Sequence, residues 1–278
     1  MADARGFAQH YEPDGLLDRL KHALAAAGHD VDAGRLRLAD LAALDQFHSR
    51  GLAATVELAQ ALRIDSATRV LDIGSGLGGP SRYLAATYGC TVQGIDLSAR
   101  FVEVANFLAR RTGLAGQVAY QRANALALPF ADRRFDLAWT QHVAMNIADR
   151  ATLYREAARV LRDGGRFAIF DVVAGSGEPL HFPVPWAREP QASFLVTSDE
   201  MHDRLIAQGF RALSRVDVTE AGIAWFAERQ KAFADGAAPA ALGLPLAMGP
   251  DFGTMTANLA RNLREGRAAL VQAIYEKS

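Results

Sequence analysis

Residues 70–79, Val-Leu-Asp-Ile-Gly-Ser-Gly-Leu-Gly-Gly, constrain this chain more than any other stretch. An apolar run ends in an acid, Asp72, and breaks into a glycine-rich turn; Ser81–Tyr88 then reads as the opening of a helix. Glycines at 74, 76 and 78 or 79 let the backbone approach a ligand where a side chain would collide. The helix start behind them offers unpaired N–H groups. Gly74-x-Gly76-x-x-Gly79 also fits the dinucleotide fingerprint, so spacing alone leaves a nicotinamide-dependent oxidoreductase open. Asp72 counts against that reading, because a carboxylate two residues before the first glycine repels a pyrophosphate. It suits a cationic ligand that carries an amino group.

Asp96 ends a second apolar segment, Thr91-Val-Gln-Gly-Ile-Asp96. An acid at that place accepts both hydroxyls of an adenosine ribose in dinucleotide folds. The plainer alternative is that it caps a helix beginning near Ala99. Residues 69–98 form one βαβ unit. Further strands are expected near 117–122, 135–140, 166–173, 211–219 and 267–275. Helices are expected near 14–28, 38–62 (broken at 48–51), 80–88, 99–112, 150–162, 198–208, 221–234 and 253–264. Strand and helix alternating in this way predict an α/β fold with a parallel sheet covered on both faces.

Three later segments follow in order: Arg122-Ala-Asn-Ala-Leu-Ala-Leu-Pro-Phe130, Phe135-Asp136-Leu-Ala-Trp139 and Leu161-Arg-Asp-Gly-Gly165. With the glycine turn and Asp96, they resemble the class I S-adenosylmethionine (SAM)-dependent methyltransferases over roughly residues 40–215. Gly-Gly-Pro-Ser-Arg-Tyr-Leu at 78–84, and Trp139-Thr-Gln141 ahead of Asp149-Arg150, are most similar to small-molecule enzymes of the sarcosine/dimethylglycine, phosphoethanolamine and tocopherol type. The resemblance implies a Rossmann-like, mostly parallel seven-stranded sheet in the order 3-2-1-4-5-7-6, its seventh strand antiparallel. It further implies an N-terminal helical lid over 1–65, a SAM-binding core over 66–220, a helical roof over 221–266 and a final strand over 267–278. The implied activity is methyl transfer from SAM, leaving S-adenosylhomocysteine, to a small amine or a phenol- or quinone-like acceptor by in-line displacement. A non-catalytic SAM-binding protein is the alternative.

Ligands of open α/β sheets sit beyond the carboxyl ends of the strands. There the resemblance assigns Asp72, Gly74, Gly76, Asp96 and Leu97 to the cofactor. It adds Asn124 and the Ala125 N–H for the adenine, and Gln141 for the methionine part. The segment Gln46-Phe-His-Ser-Arg-Gly51-Leu-Ala-Ala-Thr55 resembles a hydroxyl-rich turn that contacts the SAM carboxylate, with His48 and Ser49 in the turn. Tyr11, after His10, either closes over the reacting centre or simply flanks a helix. His142 is the candidate general base, since imidazole titrates near neutrality; the alternative is that it only orients SAM or substrate by a hydrogen bond. It stands where relatives often have Asp, and Asn146 stands where many have His. That departure points to a substrate other than glycine-derived amines. His181 and Trp186, in the proline-rich segment 178–187, are further substrate candidates, the Trp through a cation–π contact or as an aromatic wall. Trp225, Phe226, Leu244, Leu246, Met248 and Phe252 either line a pocket or pack the roof down.

The formal net charge of −1, with basic residues scattered, gives no electrostatic footprint for nucleic acid. No apolar run approaches the ~20 residues that span a bilayer, and the polar N-terminus shows no secretory pattern. With the single cysteine, Cys90, ahead of a strand, the expectation is a cytoplasmic protein with a buried, inert thiol. No cluster has metal-ligand spacing. Helices 14–28 and 253–264 either pair between two copies or cover the pocket.

Overall fold

Burial along β1 (Arg69–Ile73) alternates between two apolar clusters: Val70 belongs to one, Leu71 and Ile73 to the other. The same two-residue period continues in β5 (Leu161–Ala174), where Ala168, Phe170 and Val172 face one cluster and Phe167, Ile169 and Val173 the other. A sheet buried on both faces needs helices on both. The computed structural model, which describes residues 15–175, 178–236 and 242–278, supplies them.

With β2 (Thr91–Asp96), β3 (Val118–Arg122), β4 (Phe135–Gln141), β6 (Phe210–Asp217) and β7 (Ala268–Lys277), the sheet has the order β3-β2-β1-β4-β5-β7-β6. The pairs among β1 to β5 are parallel, whereas β7 runs antiparallel to both β5 and β6. The order and the reversed last strand are those the resemblance implies. β5 is longer than expected because Leu161 already pairs with Phe135 before the ladder resumes at Arg166.

Among the described residues the first three helices are α1 (Leu16–Ala26), α2 (Leu38–Asp45) and α3 (Gly51–Gln60); the expected break between the last two is present. Then come α4 (Gly79–Tyr88), α5 (Ala99–Arg111), α6 (Arg150–Val160) and α7 (Ser198–Ile206). Local chemistry starts several of them. Ser98 accepts the Phe101 N–H at the head of α5, Asp149 accepts the Thr152 N–H at α6, and Thr197 with Glu200 forms a capping box at α7. Among the described residues, α8 (Thr219–Ala234), α9 (Pro245–Met248) and α10 (Phe252–Arg264) lie between β6 and β7. α9 falls between the helices expected near 221–234 and 253–264; its Pro245 fits the first helical turn, where no N–H is needed.

α1 packs on α5, and its Leu16, Leu20 and Leu24 join Leu41, Leu44, Phe101, Val104 and Leu108 in a third apolar cluster. α10 packs on α8 and β7 of the same chain. No helix among the described residues is long and apolar enough to cross a membrane. The strand order reverses at β1, which has β2 on one side and β4 on the other. Ligand crevices open at such a point.

Candidate active site

A cleft of about 280 Å³ lies at the carboxyl ends of β1, β2 and β4. The glycine turn forms its floor. Gly74 has φ +74, and a Cβ there would come within 2.4 Å of the Val143 side chain. Gly76, at φ +52, brings its N–H within 2.9 Å of Asp96 Oδ2. Asp96 Oδ1 accepts the Ser98 N–H, and the helix cap proper is Ser98, not Asp96. Burial raises the Asp96 carboxyl to about 6 against the pull of the backbone N–H groups it accepts. The acid thus ties the turn to β2 and, with Leu97, lines the cleft.

Asn124 and Ala125 also line it. The exposed Asn124 accepts the Leu126 N–H through Oδ1 at 2.9 Å, which leaves that oxygen one lone pair for a ligand.

The opposite wall rests on a buried polar network. Gln141 Oε1 takes two donors, Trp139 Nε1 at 3.0 Å and Thr55 Oγ1 at 3.2 Å. Its amide nitrogen is buried and has no acceptor among the described residues. Gln141 lines the cleft, and a ligand acceptor that reached this buried donor would satisfy it. Behind it, the His48 ring places Nδ1 3.1 Å from the Ser49 carbonyl, which can only accept, so Nδ1 carries the proton. Burial lowers His48 to about 4, so the ring is neutral and Nε2 is an acceptor. Nε2 lies 3.0 Å from the Gln46 amide and 3.2 Å from the Thr55 hydroxyl. The two ends of a Gln amide have the same shape, and the network closes with the nitrogen end of Gln46 turned to His48. The same Gln46 nitrogen, 2.8 Å from Thr55 Oγ1, then donates to that hydroxyl, whose own proton goes to Gln141.

His142 stands at the boundary between the two walls. It has φ +54, uncommon for a residue with a Cβ, and its N–H donates to the Phe170 carbonyl at 2.7 Å. Its ring lies 4.7 Å from Phe170 and 5.9 Å from His48, and Nε2 is 3.2 Å from Ser49 Oγ. Burial, and then the neighbouring His48, push the imidazole well below its ordinary 6.5. This corrects the expectation of a group titrating near neutrality. Asn146 lines the cleft and donates to the Val143 carbonyl.

Several sequence-predicted residues lie elsewhere. Asp72 does not line the cleft: it is buried, accepts Ser81 Oγ at 2.5 Å, and burial raises it to about 7. His48 and Ser49 back the cleft instead of lining it, because their polar atoms are taken by the network and by His142. Trp186 is 2% exposed in the core and donates to Ser193 Oγ, so neither ring face is open to a substrate. His181 pairs with Glu265 at 2.7 Å, and its backbone is held by Asn262. None of the six apolar residues proposed for the roof lines the cleft; Phe226 and Leu246 pack onto apolar clusters. Tyr11 lies outside the described residues.

Residue-type reasoning missed Gln46 and Thr55 as partners, although both end the segment already singled out. It also missed a buried ion pair, Arg82 to Asp45 at 2.6 Å, which fastens α2 to α4 behind the glycine turn. Arg82 also donates to the Leu77 carbonyl. Among the described residues no group of three or more His, Cys, Asp or Glu has metal-site geometry.

Residues 71–169 match the family described as "Methyltransferase domain". Methyltransferase GfsG of Streptomyces halstedii is 39% identical over 134 residues, 48% of this chain and 48% of that protein. O-methyltransferase resE of Aspergillus sclerotiorum is 34% identical over 171 residues, 60% of this chain and 63% of that one. This chain therefore spans about half to two thirds of the length of these curated relatives. Among solved structures, geranyl diphosphate C-methyltransferase from Streptomyces coelicolor superposes over 100% of this chain and 98% of its own, with a TM-score of 0.71 at 20% identity. At that identity the likeness concerns the fold.

Proposed function

We propose that this chain, whose residues 71–169 match a methyltransferase domain, moves the methyl group of SAM to a small-molecule acceptor. The observation that carries this reading is the cleft at the strand-order reversal, with a positive-φ glycine turn on one side and an orphan amide donor, Gln141 Nε2, on the other. These groups fit SAM. Gly74 and Gly76 leave room for its approach, Asp96 and Leu97 receive the ribose, Asn124 and the Ala125 N–H meet the adenine, and Gln141 donates to the methionine carboxylate.

When bound, SAM supplies an electrophilic methyl on a sulfonium. The chain supplies alignment and a dry site. Phe47, Phe101, Val143 and Ile147 exclude water from the cleft, and Asn146 and His142 present polar groups to the acceptor. The N-terminal helices α1 to α3 and the helices α8 to α10 cover the acceptor from outside. The curated relative named as an O-methyltransferase supports oxygen as the receiving atom. Residues His181 and Trp186 take no part.

Calorimetry with SAM, followed by S-adenosylhomocysteine release with a panel of hydroxyl and amine acceptors, tests the reading. Binding with turnover of one acceptor class is the expected outcome. A protein that binds no SAM refutes it.

A further inference from the structure

Among the described residues that line the cleft, two carry titratable side chains, Asp96 and His142. Asn124, Gln141 and Asn146 are amides and take no proton at working pH. Asp96 already holds the Gly76 and Ser98 N–H groups and faces the ribose position assigned above. Whether the site contains a base therefore depends on which nitrogen of His142 carries its single proton.

Ser49 decides it. Its hydroxyl has one partner among the described residues, His142 Nε2 at 3.2 Å. Ser49 is 4% exposed, so a hydroxyl proton aimed anywhere else would be buried without an acceptor. That costs about 1–3 kcal/mol, whereas leaving a hydroxyl lone pair idle costs little. The Ser49 O–H accordingly donates to Nε2. A neutral imidazole that accepts at Nε2 carries its proton on Nδ1. Nδ1 makes no hydrogen bond to any described residue, nor is it among the walled-in polar atoms that lack a partner, and the residue lines the cleft. The positive φ of His142 and the Phe170 ring against it hold the imidazole in this pose.

We infer that His142 faces the acceptor as an N–H donor set by Ser49, and that the acceptor is an acidic hydroxyl, a phenol or enol, which reacts as its anion. The inference rests on the methyl-transfer reading and narrows its substrate class. A donor to the attacking oxygen weakens a neutral alcohol or amine as a nucleophile but stabilises and aligns an oxyanion in a low-dielectric cleft. The acceptor's proton leaves to solvent before attack. The anionic oxygen then forms the O–CH3 bond as the C–S bond breaks, and that electron pair stays on sulfur. One negative and one positive charge cancel, so both products are neutral and no protein base is required. Ser49 is a positioning residue in this scheme, acting only through His142.

Nitrogen-15 NMR of histidine-labelled protein reads the tautomer without any acceptor, with the His142 signals identified by their loss in His142→Asn. The expected result is a protonated Nδ1 and a bare Nε2, with that preference lost in Ser49→Ala while SAM affinity by calorimetry is unchanged, and restored in Ser49→Thr. A protonated Nε2 with a bare Nδ1 overturns the inference. The substrate class is read from SAM turnover on substituted phenols, cyclic 1,3-diketones, aliphatic alcohols and primary amines. Phenols or enols are expected to lead by roughly tenfold or more, the equivalent of one net hydrogen bond. Alcohols or amines turned over equally well overturn it. Absence of SAM binding would instead fail the underlying methyl-transfer reading, which the tautomer signal does not depend on.

Discussion

On one side of His142 the cleft is drawn mainly by main chain: the turn at Gly74 and Gly76, the N–H groups that clamp Asp96, and the short turn at Asn124. On the other side it rests on side chains from separate elements, with Gln46 and His48 of the α2–α3 connection and Thr55 of α3 meeting Trp139 and Gln141 of β4. Main-chain geometry depends on few residue identities, chiefly glycine where φ is positive. A buried side-chain network depends on every member, because each unpaired group costs desolvation. The glycine side should therefore lose function piecemeal, and the network side should fail together.

The largest effect is expected where the network side is anchored. Asp45 and Arg82 are 4% and 0% exposed, and Asp45 directly precedes Gln46. Removing one partner leaves an uncompensated buried charge, so Asp45→Ala should cost roughly 3–5 kcal/mol of stability. Urea denaturation measures it. The paired replacement Asp45→Leu with Arg82→Met should recover much of the loss. A single variant within about 1 kcal/mol of wild type would show that the N-terminal helices are held by their apolar contacts alone.

Asp96→Ala, on the glycine side, should act on binding more than on folding. It removes a charged acceptor from the ribose position and from the Gly76 N–H, and should weaken SAM by about 1.5–3 kcal/mol. Unchanged affinity by calorimetry would sink the ribose assignment. A stability loss as large as that of Asp45→Ala would erase the distinction between the two sides.

The same difference explains which parts could be read from sequence. Gly74, Gly76 and Asp96 stand out because a strand, a turn and a βαβ spacing demand them, whatever the neighbours are. The strands follow from two-residue alternation, as at Val70 and Leu71. The Asp45–Arg82 pair joins positions 37 apart, and Thr55 meets Gln141 across 86; no periodic pattern announces either. Asp72 draws a ligand role from its charge and its place before the glycine turn, but Ser81, nine residues on, has the hydroxyl that claims it. Trp186, in a proline-rich segment after β5, reads as a cation–π partner or an aromatic wall for a substrate. Ser193 satisfies its N–H and lets the ring sink into the core. His48 and Ser49 form a polar turn whose partners are protein groups, a fact that only the three-dimensional meeting of α3 with β4 reveals.

Asn124→Ala gives the smallest expected change and the sharpest test of the contrast. Asn124 is exposed, and its Oδ1 shares its capacity between the Leu126 N–H and any ligand. The turn keeps a main-chain bond when the side chain is gone, since the Ala127 N–H donates to the Asn124 carbonyl at 3.0 Å. If the adenine is met chiefly by the Ala125 N–H, SAM affinity should fall by only about 0.5–1 kcal/mol, with no measurable loss of stability. A drop matching that of Asp96→Ala would mean that the Asn side chain carries the adenine contact. The glycine side would then depend on side-chain identity as much as the network side does, and main-chain construction would no longer account for its tolerance.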